Sequence, residues 1–281
     1  WEMAPAQFVD DRDNPYATSA GSEFTWFRTR QIGGRMIVPG HGRQYYRLSD
    51  MDMYARDGLS PEWPFPGGEL DRWYEQAEYD LGLSGRQEHS PWTPDSVIAD
   101  EISPTQAEQS LIDAVESSWP SAKAILGRFA DPLNGLEIAA STGRLACLQG
   151  AIVKTVRVDE TGAANGVSFV DHATGKTVDL NASLVFLCAS TLESTRILML
   201  SKRADGGEGL GANSGALGAN LMDHIVMSAQ GVGGPLKGGR QALQPGRSVF
   251  LPRFDLRDAT DEAAQRGFGV QLYQSSLGEG A

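Results

Sequence analysis

Histidine and cysteine are scarce in this chain, and their scarcity removes several kinds of chemistry at once. Four histidines and two cysteines are spread over 281 residues. His41, His89, His172 and His224 show no two-histidine helical spacing, so no metal site is expected. Cys147 and Cys188 fit neither a disulfide scaffold nor a zinc site; both stand in apolar runs, which predicts two reduced, buried thiols. Positive charge is also in deficit. A net charge of −12 repels polyphosphate at long range and argues against a nucleic-acid partner. A small phosphorylated cofactor stays allowed, because backbone N–H groups and a few arginines can hold it locally. The longest apolar run, residues 184–189, is far too short to span a membrane. No Walker-type loop and no G-x-S-x-G elbow occur. The stretch "GEGLGA", residues 207–212, matches G-x-G-x-x-A in form but follows a helical pattern and opens a loop, the reverse of the dinucleotide context. The chain starts at Trp1 rather than Met, which leaves a removed presequence and a longer parent protein both open. Compartment is undecided, with cytoplasm favoured over periplasm.

What is present is an ordinary apolar content, 41%, enough for a substantial core in one large domain or two smaller ones. Residues 1–29 read as irregular, with "DDRDNPY" a turn cluster. A helix is predicted over 69–81, with Leu70, Trp73, Tyr74, Ala77 and Leu81 on one face and Gly82 closing it. A second is predicted over 104–119, opened by Pro104, with Ala107, Leu111, Val115 and Trp119 repeating every four residues and Pro120 ending it. From 145 to 187 the period changes to two. "IVKTVRV", "GVSFVD" and "KTVDL" are β-branched segments separated by turn sequences, which predicts an antiparallel meander. "SLVFLCA" then reads as a strand buried on both faces. It leads into a helix over 191–202, with Ser190 and Glu193 spaced as a capping box. Residues 203–219 are glycine-rich loop, and "HIVMSAQGV", "RSVFLPRF" and "GFGVQLYQSS" read as further strands. Ending among strands suggests an incomplete folding unit.

Two places invite a ligand. The junction from the apolar run into the helix at 191 resembles the strand-end position where α/β proteins hold ligands. The stretch "RQIGGRMIVPGHGRQYYRLSD", residues 30–50, combines Gly33-Gly34 with Arg30, Arg35, Arg43 and Arg47. Glycines there permit positive φ and close approach of backbone to a ligand. The arginines fit phosphates or the local acids Asp50 and Asp52. Taken alone, a decorated turn and a cofactor loop fit these residues equally. His41, among glycines and arginines, is a candidate for cofactor or substrate contact. His172 and His89 read as solvated turn and loop residues. Asp223 and His224 are adjacent, so on an extended strand they point to opposite faces and form no acid–base pair.

Four segments in order, "RQIGGRM", "WPFPGGELDRWYEQAEYDLGLSG", "LCASTLESTRILMLS" and "GLGANSGALGANLMDH", resemble the glucose–methanol–choline flavoprotein oxidoreductases. The resemblance runs from about residue 24 to 230 and is closest to the bacterial sugar-oxidising branch, similar to gluconate dehydrogenases and pyranose oxidases. It implies an α/β (α+β) fold: an FAD-binding Rossmann-like domain with a β-meander, and a substrate domain built on an antiparallel sheet. The implied segments are 1–58 (FAD-domain extension and flavin loop), 59–139 (helical part of the substrate domain), 140–223 (FAD-binding domain) and 224–281 (substrate-domain strands). It implies flavin and diphosphate contact at Gly33, Gly34 and Arg35, adenine contact at the backbone of Val153, and ribose–diphosphate contact at Cys188, Ala189 and Ser190. Ser190 stands where the family usually carries glycine. His41 lies further along than the family's covalent-attachment histidine, so non-covalent FAD is expected.

The implied reaction is oxidation of a sugar or glycoside secondary alcohol to a ketone, with hydride passing to flavin N5. Tyr45 and Tyr46 are candidates for stacking on the sugar. The family's N-terminal βαβ unit and its C-terminal catalytic His with a His or Asn partner are not found here. No catalytic residue is therefore assigned, and the chain by itself is expected not to turn over. The missing parts would come from the same protein or from companion chains. No membrane span is expected, and a homo-oligomer is allowed. The alternatives are a non-catalytic remnant or binding module on the same sheet platform without flavin, and an unrelated α+β domain.

Overall fold

The computed structural model describes residues 5–38, 44–47, 62–90, 93–120, 122–130, 133–207, 209–223, 226–231, 247–254 and 268–273. The chain divides into two units, Trp1–Arg144 with Val232–Ala281, and Leu145–Gly231. Among the described residues it is mixed α and β, with three separate sheets and no barrel.

In the first unit, helix α1 covers Asp71–Leu81, and Gly82, in the left-handed conformation the sequence calls for, ends it. The face it buries differs from the expected apolar stripe. Trp73 is 57% exposed, whereas Glu78 is fully buried. The cause lies 31 residues upstream: Arg47 donates to both carboxylate oxygens of Glu78, at 2.7 and 2.8 Å, and the Val97 N–H donates to Oε2 at 2.8 Å. A buried guanidinium requires a carboxylate, and that requirement sets the helix rotation ahead of Trp73 and Ala77.

Helix α2, Gln106–Ser118, begins two residues later than expected. Thr105 rather than Pro104 marks its start, through a capping box in which the Thr105 hydroxyl accepts from the Glu108 N–H at 3.1 Å and the Glu108 carboxylate accepts from the Thr105 N–H at 2.7 Å. Arg247 adds two hydrogen bonds to the same carboxylate, at 3.0 and 2.6 Å. Burial works to raise the Glu108 carboxyl; the Arg247 and Thr105 bonds outweigh it and hold the group below the usual carboxylate range.

The short strands β1 (Gln44–Tyr45), β2 (Ser84–Gly85), β3 (Asp100–Glu101) and β5 (Arg128–Phe129) form one sheet in the order β1-β5-β2-β3. Strand β4 (Ile125–Leu126) joins a second sheet with β9 (Val249–Phe254) and β10 (Phe268–Leu272), in the order β10-β9-β4. Ile112, Val115, Ala124, Leu126, Val249 and Leu251 make the core between α2 and this second sheet, with Val270 and Leu272 packed against it. Strands β9 and β10 thus meet the expectation for two of the three late segments. Residues 226–231 of the third form no strand and are exposed; alternation of apolar residues makes a strand only where a partner ladder exists. Helix α3, Asn134–Ser141, meets α1 through Asn134, whose amide donates to the Asp80 carbonyl at 2.8 Å.

The second unit holds the predicted meander: β6 (Ala151–Val158), β7 (Ala164–Asp171) and β8 (Thr177–Asn181), paired antiparallel in sequence order. Gly166 has φ 149°, and a Cβ there would stand 2.1 Å from the Leu180 carbonyl oxygen, so β8 can approach only a glycine. Helix α4, Ser190–Leu200, packs on β6. The two are joined at the end of α4 by buried Ser201, whose hydroxyl accepts from the Val156 N–H at 2.8 Å and donates to the Ile197 carbonyl at 2.6 Å.

The run at 183–189 departs from expectation. It pairs with no described strand; Leu184 is 68% and Phe186 78% exposed, and Cys188 is exposed as well. Burial on both faces demands neighbours on both sides; Val185 and Leu187 are half-buried, while the face of Leu184 and Phe186 stays open. Cys147 is exposed too, so neither thiol is buried as expected. No helix among the described residues is long and apolar enough to cross a membrane.

Candidate functional site

The Gly33-Gly34 pair forms a tight left-handed turn. Gly33 has φ 87° and Gly34 φ 53°, and the Gly34 N–H donates to the Gln31 carbonyl at 3.0 Å. The Gln31 side-chain amide donates back to the Gly34 carbonyl at 3.2 Å, which fixes the turn from its other side. A Cβ on Gly33 would strike Ile37 at 2.7 Å, whereas one on Gly34 would meet open space. Gly33 is therefore required by packing, and Gly34 presents bare backbone outward. A short 3-10 turn, Gly34–Ile37, follows and carries Arg35. Arg35 is exposed, makes no ion pair with a described residue, and borders a cavity of about 40 Å³ with Phe8, Phe27, Thr29 and Val38. That space is large enough for a water molecule and too small for any ring of a cofactor.

The second candidate is the start of α4. Cys188, Ala189 and Ser190 are exposed, and Ser190 has φ 69°, a left-handed conformation unusual for a residue with a Cβ. The expected capping box does not form. No side chain caps α4, and Glu193 instead accepts from Arg196 Nε at 2.7 Å. The positive φ of Ser190 breaks the extended geometry that a capping hydroxyl needs, so the first-turn N–H groups receive no side-chain acceptor. An uncapped, exposed helix start of this length favours an anionic group.

Val153, half-buried in β6, stands opposite Phe169 beside a register shift. The Gly33-Gly34 turn belongs to the first unit, and Val153 with residues 188–190 to the second.

A larger hollow, about 220 Å³, lies between α4 and the glycine-rich loop, lined by Met199, Gly209, Ala212, Gly215 and Leu217. It sits about 13 Å along the helix axis from Ser190, at the far end from the uncapped start. The loop folds back on the helix: the Gly209 N–H donates to the Ser201 carbonyl at 2.9 Å and the Leu210 N–H to the Leu198 carbonyl at 3.0 Å. The "GEGLGA" glycines thus serve to close a helix C-terminus, consistent with their following a helix.

Tyr45 and Tyr46 point to different surroundings. Burial first, then the nearby charge of Glu78, pushes the Tyr45 hydroxyl well above its ordinary value, and the Arg128 guanidinium lies 5.9 Å from its ring centre. Tyr46 rests on Phe250 with ring centres 4.9 Å apart, and its hydroxyl accepts from the Gln271 amide. Gln271 in turn accepts from the Tyr273 hydroxyl, which accepts from the Gln44 amide at 3.2 Å. Sequence reasoning missed Gln44, Gln271 and Tyr273. Their one signal, the alternation in "GVQLY", shows that Gln271 and Tyr273 share a face without showing what that face meets.

His172 and His89 are exposed, and His89 pairs with Asp95 at 2.6 Å. His41, His224, Arg43, Asp50 and Asp52 lie outside the described residues. Among the described residues no three His, Cys, Asp or Glu side chains gather to hold a metal ion.

No protein-family model matches this chain. It is 29% identical over 275 aligned residues to 2-methyl-1,2-propanediol dehydrogenase of Mycolicibacterium austroafricanum, in a match that covers 86% of this chain and 49% of that protein. The chain spans about half the length of the curated relative it matches.

Proposed function

We propose that this chain is part of an FAD-dependent oxidoreductase of the glucose–methanol–choline type, acting on the CH–OH group of a sugar or glycoside and forming a ketone. The observation that carries the oxidoreductase reading is the similarity, along most of the chain, to a dehydrogenase named for a vicinal diol. The flavin and the sugar rest on the resemblance of the four sequence segments to that family. The local geometry of the candidate residues fits such a cofactor. Gly34 offers backbone without a side chain, Arg35 is an exposed cation with no described acid to neutralise it, and α4 begins without a side-chain cap. An anionic group suits the guanidinium in the first unit and, taken separately, the helix start in the second.

When bound, FAD would supply the hydride acceptor. In this reading the chain's own residues bind and orient: Gly33, Gly34 and Arg35 at the flavin and diphosphate, the Val153 backbone at the adenine, and Cys188, Ala189 and Ser190 at the ribose–diphosphate. The proton-accepting base is not assigned to any described residue.

Titration of the purified chain with FAD tests the reading. Saturable quenching of flavin fluorescence is expected, with all flavin released on denaturation because attachment is non-covalent. Absence of binding, with an intact mass matching 281 residues, would sink it.

A further inference from the structure

The second sheet of the first unit has two unlike faces. Val270 and Leu272 turn toward α2 and the core, so the alternation of β10 sends Gln271 and Tyr273 to the opposite side. Phe250 stands opposite Gln271 in register, and the Tyr46 ring lies over Phe250. On this aromatic floor runs a chain of hydrogen bonds. The Gln44 amide donates to Tyr273, Tyr273 to the Gln271 carbonyl oxygen, and the Gln271 amide to Tyr46. Its members come from segments as many as 229 residues apart. Gln271 is exposed and Tyr273 is 57% exposed, so solvent reaches the relay.

The chemistry of this cluster narrows what it can receive. Its four side chains are amides and phenols, each able to donate and to accept, and none is charged. An anionic ligand would ask for a cation, and a purely apolar one would take water from the amides' remaining donors and acceptors without replacing it. A hydroxyl group donates and accepts at once and can enter the relay without breaking its direction. The flanking rings offer an apolar face to the C–H groups beside it.

We propose that Gln44, Tyr46, Gln271 and Tyr273 form a recognition patch for the neutral vicinal hydroxyls of a sugar ring or short diol. The proposal rests on the alcohol-oxidoreductase reading for the choice of ligand class alone; the geometry is independent of the cofactor.

Saturation-transfer NMR on the full chain with D-glucose and 1,2-propanediol, and succinate as the anionic comparison, tests it. Carbinol protons of the two neutral ligands are expected to receive saturation, and succinate is not. Gln271→Leu and Tyr273→Phe are expected to reduce the transfer about threefold or more, the loss of one hydrogen bond, with unchanged unfolding midpoints. Tyr79→Phe, at another exposed tyrosine, is expected to leave it intact. No transfer in the unaltered chain, equal transfer in the variants, or loss only together with a lowered midpoint would each overturn the patch. Flavin titration of the same samples separates the two readings. Transfer without flavin binding removes the cofactor and keeps the patch, and flavin binding without transfer does the reverse.

Discussion

Arg47 and Glu78 form a two-pronged ion pair, 2.7 and 2.8 Å between heavy atoms, with side-chain exposures of 3% and 0%. Burial alone would raise the Glu78 carboxyl, but the bonds from Arg47 and the Val97 N–H hold it below the usual range. Arg47→Met strands a buried carboxylate and is expected to cost about 3–5 kcal/mol, read as a lowered urea midpoint.

The same pair gives an acid dependence whose sign is fixed. A carboxyl lowered on folding contributes stability that is fully present above its unfolded value and lost as pH falls through the folded one. The ordinary glutamate value is about 4.5, so the contribution of Glu78 should be flat near neutrality and decline below about that pH. Glu108, also held low, adds to the same decline. A Glu78→Gln chain should be less stable at neutral pH and show a shallower acid slope in thermal melts from pH 7 to 3. An unchanged slope would mean that the pair is not formed.

Gly166→Ala should disrupt the β7–β8 pairing. The added methyl meets the Leu180 carbonyl oxygen at 2.1 Å, and the φ of 149° excludes other residues. A loss of about 1–3 kcal/mol is expected from the backbone conformation alone. Hydrogen exchange should quicken at residues 177–181 before it does so in β6.

Ser190→Gly should stabilise the chain. Relief of the left-handed conformation at Ser190, φ 69°, is worth about 1–2 kcal/mol, offset in part by the greater freedom of glycine in the unfolded chain. Ser190→Val should move the midpoint the opposite way. A serine that tolerates valine without loss would show that the turn is not left-handed.

Cys147 and Cys188 are exposed, so a thiol reagent such as DTNB should titrate both in the folded chain without denaturant. Reaction only after unfolding would restore the buried assignment.

What the sequence revealed was local. The meander was legible because each β-branched segment and each turn lies within a few residues of its partner, and Gly82 announced the end of α1 by itself. The inward turn of Glu78 was not legible, since its cause is an arginine 31 positions away. The glutamine–tyrosine relay depends on contacts across 225 and 229 positions. The run at 183–189 misled for a related reason: apolar continuity records that a segment is suited to burial, and says nothing about which neighbours do the burying. At the candidate cofactor residues, the Gly-Gly turn was foreseeable from glycine itself. The missing cap at Ser190 was not, because a Ser-x-x-Glu spacing looks the same whether or not the serine backbone is extended.

The bare run at 183–189 also governs how the chain behaves in company. "SLVFLCA" has no charge and no proline, carries Val185 and Phe186 at its centre, and finds no ladder partner among the described residues. Such a segment can pair edge to edge with its copy on another molecule. Concentrating the chain should therefore drive self-association through this segment, with Leu184→Lys and Phe186→Lys acting as gatekeepers that keep solutions clear.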